Sequence, residues 1–186
     1  MLKEIKGIII FFVKIIASLF FKKKYLSGKH FKRGGSGWVW VARGIWRQRV
    51  LGFNRFIPWP MSHTSTISNW KNITFDQDDL NNFQSPGCYF QNFSGKIILG
   101  KGTYIAPNVG LITANHELSN LENHSIGKDI VLGENCWIGM NVVILPGVFL
   151  GNNVTVGAGS VVTKSFRENN IIIAGVPAKI IKKIKQ

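Results

Sequence analysis

Four histidines, His30, His63, His116 and His124, are the side chains of this 186-residue chain best placed to exchange protons near neutral pH. Each is a candidate general base. His116, in Thr113-Ala114-Asn115-His116-Glu117, and His124 both fall within residues 112–125, where a regular repeat is interrupted. A zinc site would need three ligands, and His63, His116 and His124 lack close spacing. The two cysteines, Cys88 and Cys136, form no Cys-x-x-Cys pair and read as inert thiols of a cytoplasmic chain. No metal is expected.

The elements that must position these side chains are announced by a six-residue period. Ile126, Leu132, Ile138, Ile144, Leu150, Val156 and Val162 recur without a miss. Glycine follows at 127, 133, 139, 151 and 157, where a corner needs a small or permissive residue. A second core-compatible residue stands four positions on, at Ile130, Cys136, Val142, Val148, Val154 and Ser160. Short flat strands wound around a coil fit this pattern, and hexapeptide periodicity is the signature of a parallel β-helix. A weaker frame, Leu99, Ile105 and Leu111, precedes it. Leu111 to Ile126 is a step of fifteen, not a multiple of six, so a loop must break the coil.

The run GKDIVLGENCWIGMNVVILPGVFLGNNVTVGAGSVVTKSF, followed by AGVPAKII, resembles the hexapeptide-repeat acyltransferases, and among them the O-acetyltransferases of capsule, exopolysaccharide and O-antigen synthesis. The resemblance implies an all-β solenoid wound as a left-handed parallel β-helix, against the usual right-handed crossover rule. It further implies a homotrimer with active sites between neighbouring coils, and acetyl-CoA as co-substrate.

Moving an acyl group from a thioester to a hydroxyl needs a base for the hydroxyl proton. On the resemblance, His116 is that base, and Glu117 or a carbonyl holds its other ring nitrogen. The backbone amide of Met140, after Trp137-Ile138-Gly139, would face the developing oxyanion. Asn92 and His124 would contact the acceptor. Trp137, Gly139, Ala158, Thr163 and Lys164 would line the coenzyme A channel, with lysine suited to its phosphates.

Charge is distributed unevenly. Lys and Arg number 23 against 9 Asp and Glu, and Met1 to Arg55 holds thirteen of the bases and one of the acids. Gly7 to Phe21 is apolar except for Lys14, and as a helix it is too short to cross a ~30 Å hydrocarbon core. Residues 1–24 are therefore expected to form an amphipathic helix lying on an anionic membrane surface, peripheral or monotopic, with an uncleaved spanning anchor, a cleaved signal or a packed helix as the alternatives. Residues 25–86 are expected as a basic, aromatic-rich region capping the coil, 87–167 as the coil with its loop at 112–125, and 168–186 as a C-terminal cap containing a helix from Ala178 to Lys185. The cations beside the apolar segment predict the cytoplasmic face of a bacterial inner membrane.

A saccharide or lipid-linked glycan acceptor follows from the resemblance and the membrane segment together. N-acetylation of a nucleotide-linked amino sugar is the alternative transfer. A non-catalytic β-helix module would leave the loop histidine unexplained, as would nucleic-acid binding. The γ-class carbonic anhydrases share the coil but need three closely placed histidines.

Overall fold

The computed structural model describes residues 13–32 and 35–184, which divide into two units, Met1–His63 and Thr64–Gln186.

Three parallel sheets make the second unit a coil. The first face stacks Thr66–Ile67, Tyr89–Gln91, Gly110–Ile112, Val143–Ile144 and Val161–Val162. The second stacks Ile73–Thr74, Ile97–Leu99, Ile130–Leu132 and Phe149–Leu150, and a Leu150–Phe166 bridge extends it. The third stacks Tyr104–Ile105, Trp137–Ile138, Thr155–Val156 and Ile171–Gly175. Ile138 pairs with Val156, 18 residues on, whereas Ile105 pairs with Ile138, 33 residues on. The difference, 33 − 18, is the fifteen-residue step of the sequence, so one loop accounts for the whole interruption.

The period is inward-facing. Leu132, Ile138, Ile144, Leu150, Val156 and Val162 are at most 1% exposed, and so is the second residue of each hexad from Ile130 to Ser160. Each large aliphatic side chain contributes roughly 1.5–3 kcal/mol by leaving water. The glycines serve close approach: a Cβ on Gly133 would lie 2.5 Å from the Gly151 carbonyl oxygen of the next turn. Left-handed backbone falls at other corner positions, to Asn108, Asn135, Asn141 and Asn153, with φ between 54° and 60°, and to Gly87, Gly102, Gly147 and Gly159. Asparagine tolerates that conformation better than other side chains with a Cβ.

Four features differ from expectation. The ladder begins at Thr66, upstream of Gly87, because Thr66–Ile67 and Ile73–Thr74 already pair in parallel with the next turn. In that first turn the helical segment Gln77–Gln84 occupies the third face, where Asn82 imitates a strand. Its amide donates to the Thr103 carbonyl at 2.8 Å and accepts from Ile105 N–H at 2.9 Å. Ile126 is 91% exposed on the returning arm of the loop, and the coil resumes only when Ile130 pairs with Ile97. Finally, Ala178–Lys183 is a strand, not a helix. It turns back antiparallel on Ile171–Gly175, whose outer edge would otherwise leave backbone groups unpaired.

In the first unit, residues 13–20 are helical, ending before the expected Lys24. Residues 1–12 of the expected membrane helix lie outside the described residues. Ala17 and Phe21 pack on Val41 of the helix Gly37–Gly44, with Leu26, Phe31, Trp38 and Ile45 around them. Ile45–Val50 continue that helix with a wider turn. Among the described residues no helix is long and apolar enough to cross a membrane.

Candidate active site

The interrupting loop is a hairpin of His116–Glu117 against Asn120–His124, with His116 opposite His124. Its root is fixed by Gln91, a buried side chain of the first face. The Gln91 carboxamide accepts from Thr113 N–H and Ala114 N–H, both at 3.0 Å, and donates to the Ala114 carbonyl at 2.9 Å. Lys128 N–H closes the returning arm on the Thr113 carbonyl at 2.8 Å. Between these points the chain is exposed, because it leaves the coil where the first face turns into the second.

At the exposed hairpin, His116 Nδ1 lies 2.6 Å from the Leu121 carbonyl oxygen. A carbonyl only accepts, so Nδ1 carries a proton, and in the neutral ring this tautomer puts the lone pair on Nε2. The orienting partner is thus Leu121 O, and Glu117 does not fill that role. The His124 ring lies 4.2 Å from the His116 ring, tilted by 38°, and Phe93 meets His124 edge-on at 4.9 Å. Phe93 reaches the hairpin from the turn that follows Tyr89–Gln91.

Asn92 is placed differently from its expected acceptor role. It is fully buried, accepting from Asn69 N–H at 2.9 Å and donating to the Asn69 carbonyl at 2.8 Å. This exchange completes the edge of the first coil turn, and the side chain is closed to an acceptor.

Met140, Ala158 and Gly139 occupy another corner, where the third face turns into the first. Gly159 N–H bonds the Met140 carbonyl at 2.8 Å, while the Met140 N–H has no hydrogen-bond partner among the described residues. Gly139 lies beneath Ala158, whose backbone nitrogen would be 2.7 Å from any Cβ there. Trp137 is 59% exposed on the third face, between Tyr104 and Thr155. Thr163 and Lys164 are exposed two turns along the histidine hairpin's own corner, with the lysine ammonium 5.7 Å from the Phe166 ring. Within one chain, therefore, His116, His124, Thr163 and Lys164 share one corner, and Met140, Gly139 and Ala158 another. The first face separates them.

The remaining histidines are otherwise engaged. Arg47 donates to His63 Nδ1 at 3.2 Å, and His30 packs on Trp40 at 4.7 Å. Burial pushes the Cys88 and Cys136 thiols up from their ordinary pKa, which keeps both protonated at neutral pH.

Sequence reasoning missed Gln91, Phe93 and the Leu121 carbonyl as parts of this site. Only the position of Phe93 and Gln91 just before the coil turn gave any signal, since a backbone carbonyl has no signature in the residue it belongs to.

A coil of hexapeptide rungs, opened once to present an oriented histidine, places the protein among the hexapeptide-repeat transferases. The bacterial transferase hexapeptide family (six repeats) matches residues 129–164. The galactoside O-acetyltransferase of Escherichia coli is 30% identical over 181 residues, covering 82% of this chain and 87% of that protein. The chain belongs to this family of hexapeptide-repeat acetyltransferases.

Among solved structures, a galactoside acetyltransferase in complex with coenzyme A superimposes with a TM-score of 0.59 at 31% identity, over 68% of this chain and 62% of that one. A hexapeptide-repeat acetyltransferase from Vibrio cholerae, complexed with acetyl-CoA, gives 0.50 at 31% identity, over 54% and 55% of the two chains. Family and neighbours together imply that the coil is left-handed. For several curated relatives matched at higher identity, the chain spans only about half their length, 47% to 50%.

Proposed function

We propose that the protein transfers an acetyl group from acetyl-CoA to a hydroxyl of a saccharide. The observation that carries this reading is the contact between His116 Nδ1 and the Leu121 carbonyl, which leaves Nε2 as an oriented base on an exposed hairpin.

In this mechanism Nε2 takes the proton of the sugar hydroxyl as its oxygen attacks the thioester carbon. The tetrahedral oxyanion is met by the Met140 N–H, a donor that needs no rearrangement to serve. Collapse breaks the C–S bond, and the His116 imidazolium returns its proton to the departing thiolate. The exposed Ala158 and Trp137 offer a flat apolar wall for the pantetheine arm, and the Lys164 ammonium offers a counter-charge for phosphate.

Because His116 and Met140 stand at different corners of one coil, a complete site requires the histidine corner of one copy to face the Met140 corner of another. A closed trimer provides three such junctions by rotation. Leu118, 98% exposed at the hairpin tip, and Leu121, 67% exposed, support burial of the hairpin by a neighbouring copy. We read the acceptor as a lipid-linked glycan at the cytoplasmic face of a membrane, since the first unit carries the apolar and cationic residues of an interfacial segment.

The test is release of free coenzyme A from acetyl-CoA with a panel of saccharide acceptors. Acceptor-dependent release that falls by ~10²-fold or more in His116→Ala is the expected result. Unchanged release from the folded variant would remove His116 as the base.

A further inference from the structure

The first unit exposes apolar side chains that a water-facing surface would not favour. On the helix of residues 13–20, Ala17 is turned inward while Ile15, Ile16, Leu19 and Phe20 are 37% to 76% exposed. Val39, Trp46, Val50, Leu51, Phe53 and Phe56 add further exposed apolar surface from the second helix and the loop after it. Of the thirteen bases between Met1 and Arg55, Lys3, Lys6 and Arg33 lie outside the described residues. The remaining ten share the described part of the unit with no Asp or Glu at all. So dense a positive charge, with no acid among the described residues of the unit, favours an anionic partner.

The choice between anionic partners is decided by the apolar residues. Single-stranded nucleic acid is held by aromatic rings on which bases stack. Ile15, Ile16, Leu19, Val39, Val50 and Leu51 are aliphatic and have no stacking face. What they gain from a partner is hydrocarbon contact, which a bilayer supplies.

Within this surface a pocket of about 390 Å³ is lined by Lys14, Ile15, Ser18, Lys23, Leu26 and Trp38. Lys14 Nζ stands 5.8 Å from the centroid of the Trp38 ring, so the ammonium and the indole of this lining meet. The Ser18 hydroxyl donates back to the Ile15 carbonyl at 2.8 Å, which leaves the two lysines as the cationic donors. Two lysines and a lining of isoleucine, leucine and tryptophan match a phosphodiester joined to acyl chains.

We propose that this pocket binds the phosphate headgroup of an anionic phospholipid, with the surrounding aliphatic side chains inserted among the acyl chains of the same leaflet. The bilayer is the occupant, and the pocket fixes where its phosphates sit. This site is independent of the transfer chemistry assigned to the coil.

The test uses the full-length chain and vesicle flotation, with no acetyl transfer in the readout. Vesicles of phosphatidylcholine containing phosphatidylglycerol should float the protein, and vesicles of phosphatidylcholine alone should not. Lys14→Gln with Lys23→Gln should weaken binding roughly tenfold or more. Lys29→Gln with Lys32→Gln removes the same charge from exposed sites outside the pocket and should cost far less. An equal loss from both pairs would replace the pocket with diffuse attraction and overturn the proposal. Ile15→Ser with Leu19→Ser should reduce the binding that survives high salt, and no reduction would remove the inserted aliphatic surface. Displacement from vesicles by inorganic phosphate at equal phosphate concentration would make this a free-anion site instead. Binding of a single-stranded oligonucleotide as tight as that of anionic vesicles would overturn the lipid assignment. Circular dichroism of each variant separates loss of binding from loss of fold.

Discussion

The imidazoles of His116 and His124 lie 4.2 Å apart across a hairpin, and the edge of Phe93 closes the stack at 4.9 Å from His124. The His116 ring, the base of the proposed reaction, is thus held on two sides, by the Leu121 carbonyl at Nδ1 and by a ring whose own position is set from a neighbouring turn of the coil. Phe93 is a positioning residue in this arrangement. Phe93→Leu keeps the apolar bulk but removes an aromatic pair of about 0.5–1.5 kcal/mol. The expected outcome is a kcat lowered roughly two- to tenfold with the KM for acetyl-CoA unchanged. Steady-state kinetics checks it, and an unaltered kcat would place the ring outside the machinery.

Asn82→Leu tests how the open end of the coil is closed. The substitution leaves the Thr103 carbonyl and the Ile105 N–H buried without their partner. Each of the two orphaned groups costs about 1–3 kcal/mol, so a loss of roughly 2–6 kcal/mol in unfolding free energy is expected. Denaturant titration measures it. A loss below about 1 kcal/mol would mean that water replaces the amide at this edge.

These two cases mark where the sequence could be read and where it could not. The rungs from Leu132 to Val162 repeat the same two inward positions, so local spacing alone describes the packing. The loop was legible for the same reason, as a break in the count. Ile126 matched the count but lies on the loop's returning arm, because periodicity records residue type and not whether a partner strand is adjacent. Asn82 and Asn92 act through backbone groups about twenty residues away, and nothing near them in the chain signals that pairing. The run from Ala178 to Lys185 mixes isoleucine and lysine in a way that suits a helix or an edge strand. The unpaired edge of Ile171–Gly175 decides for the strand.

The two cysteines give a pH-dependent prediction. Burial raises both thiols above their ordinary value of 9.0, so the fold favours the protonated form. Their contribution to stability is complete below that value and is lost as pH rises through the raised folded values. Thermal melts should therefore show a decline in alkaline solution that is smaller in Cys88→Val with Cys136→Val. At pH 7 a thiol reagent should label the native protein only at the rate of unfolding. Rapid labelling of both residues would contradict their burial.

Gly139 and His116 together test whether the site is assembled between copies. Gly139→Val would drive a side chain into the Ala158 nitrogen and the Val156 carbonyl, 2.7 and 2.8 Å from the first added carbon, and so displace the adjoining Met140 amide. His116→Ala removes the proposed base and leaves that corner intact. Each variant alone should lose ~10²-fold or more in kcat. If the proposed site is built between the copies of a closed trimer, co-refolding the two variants in equal amounts would bring an intact hairpin from one against an intact Met140 corner from the other at one junction in four. Activity should return to about a quarter of the wild-type value. If each chain built its own site, no mixed trimer would hold an intact pair and activity would stay at the level of the parents. That result would require the His116 and Met140 corners to meet around a single coil, across the face that separates them here.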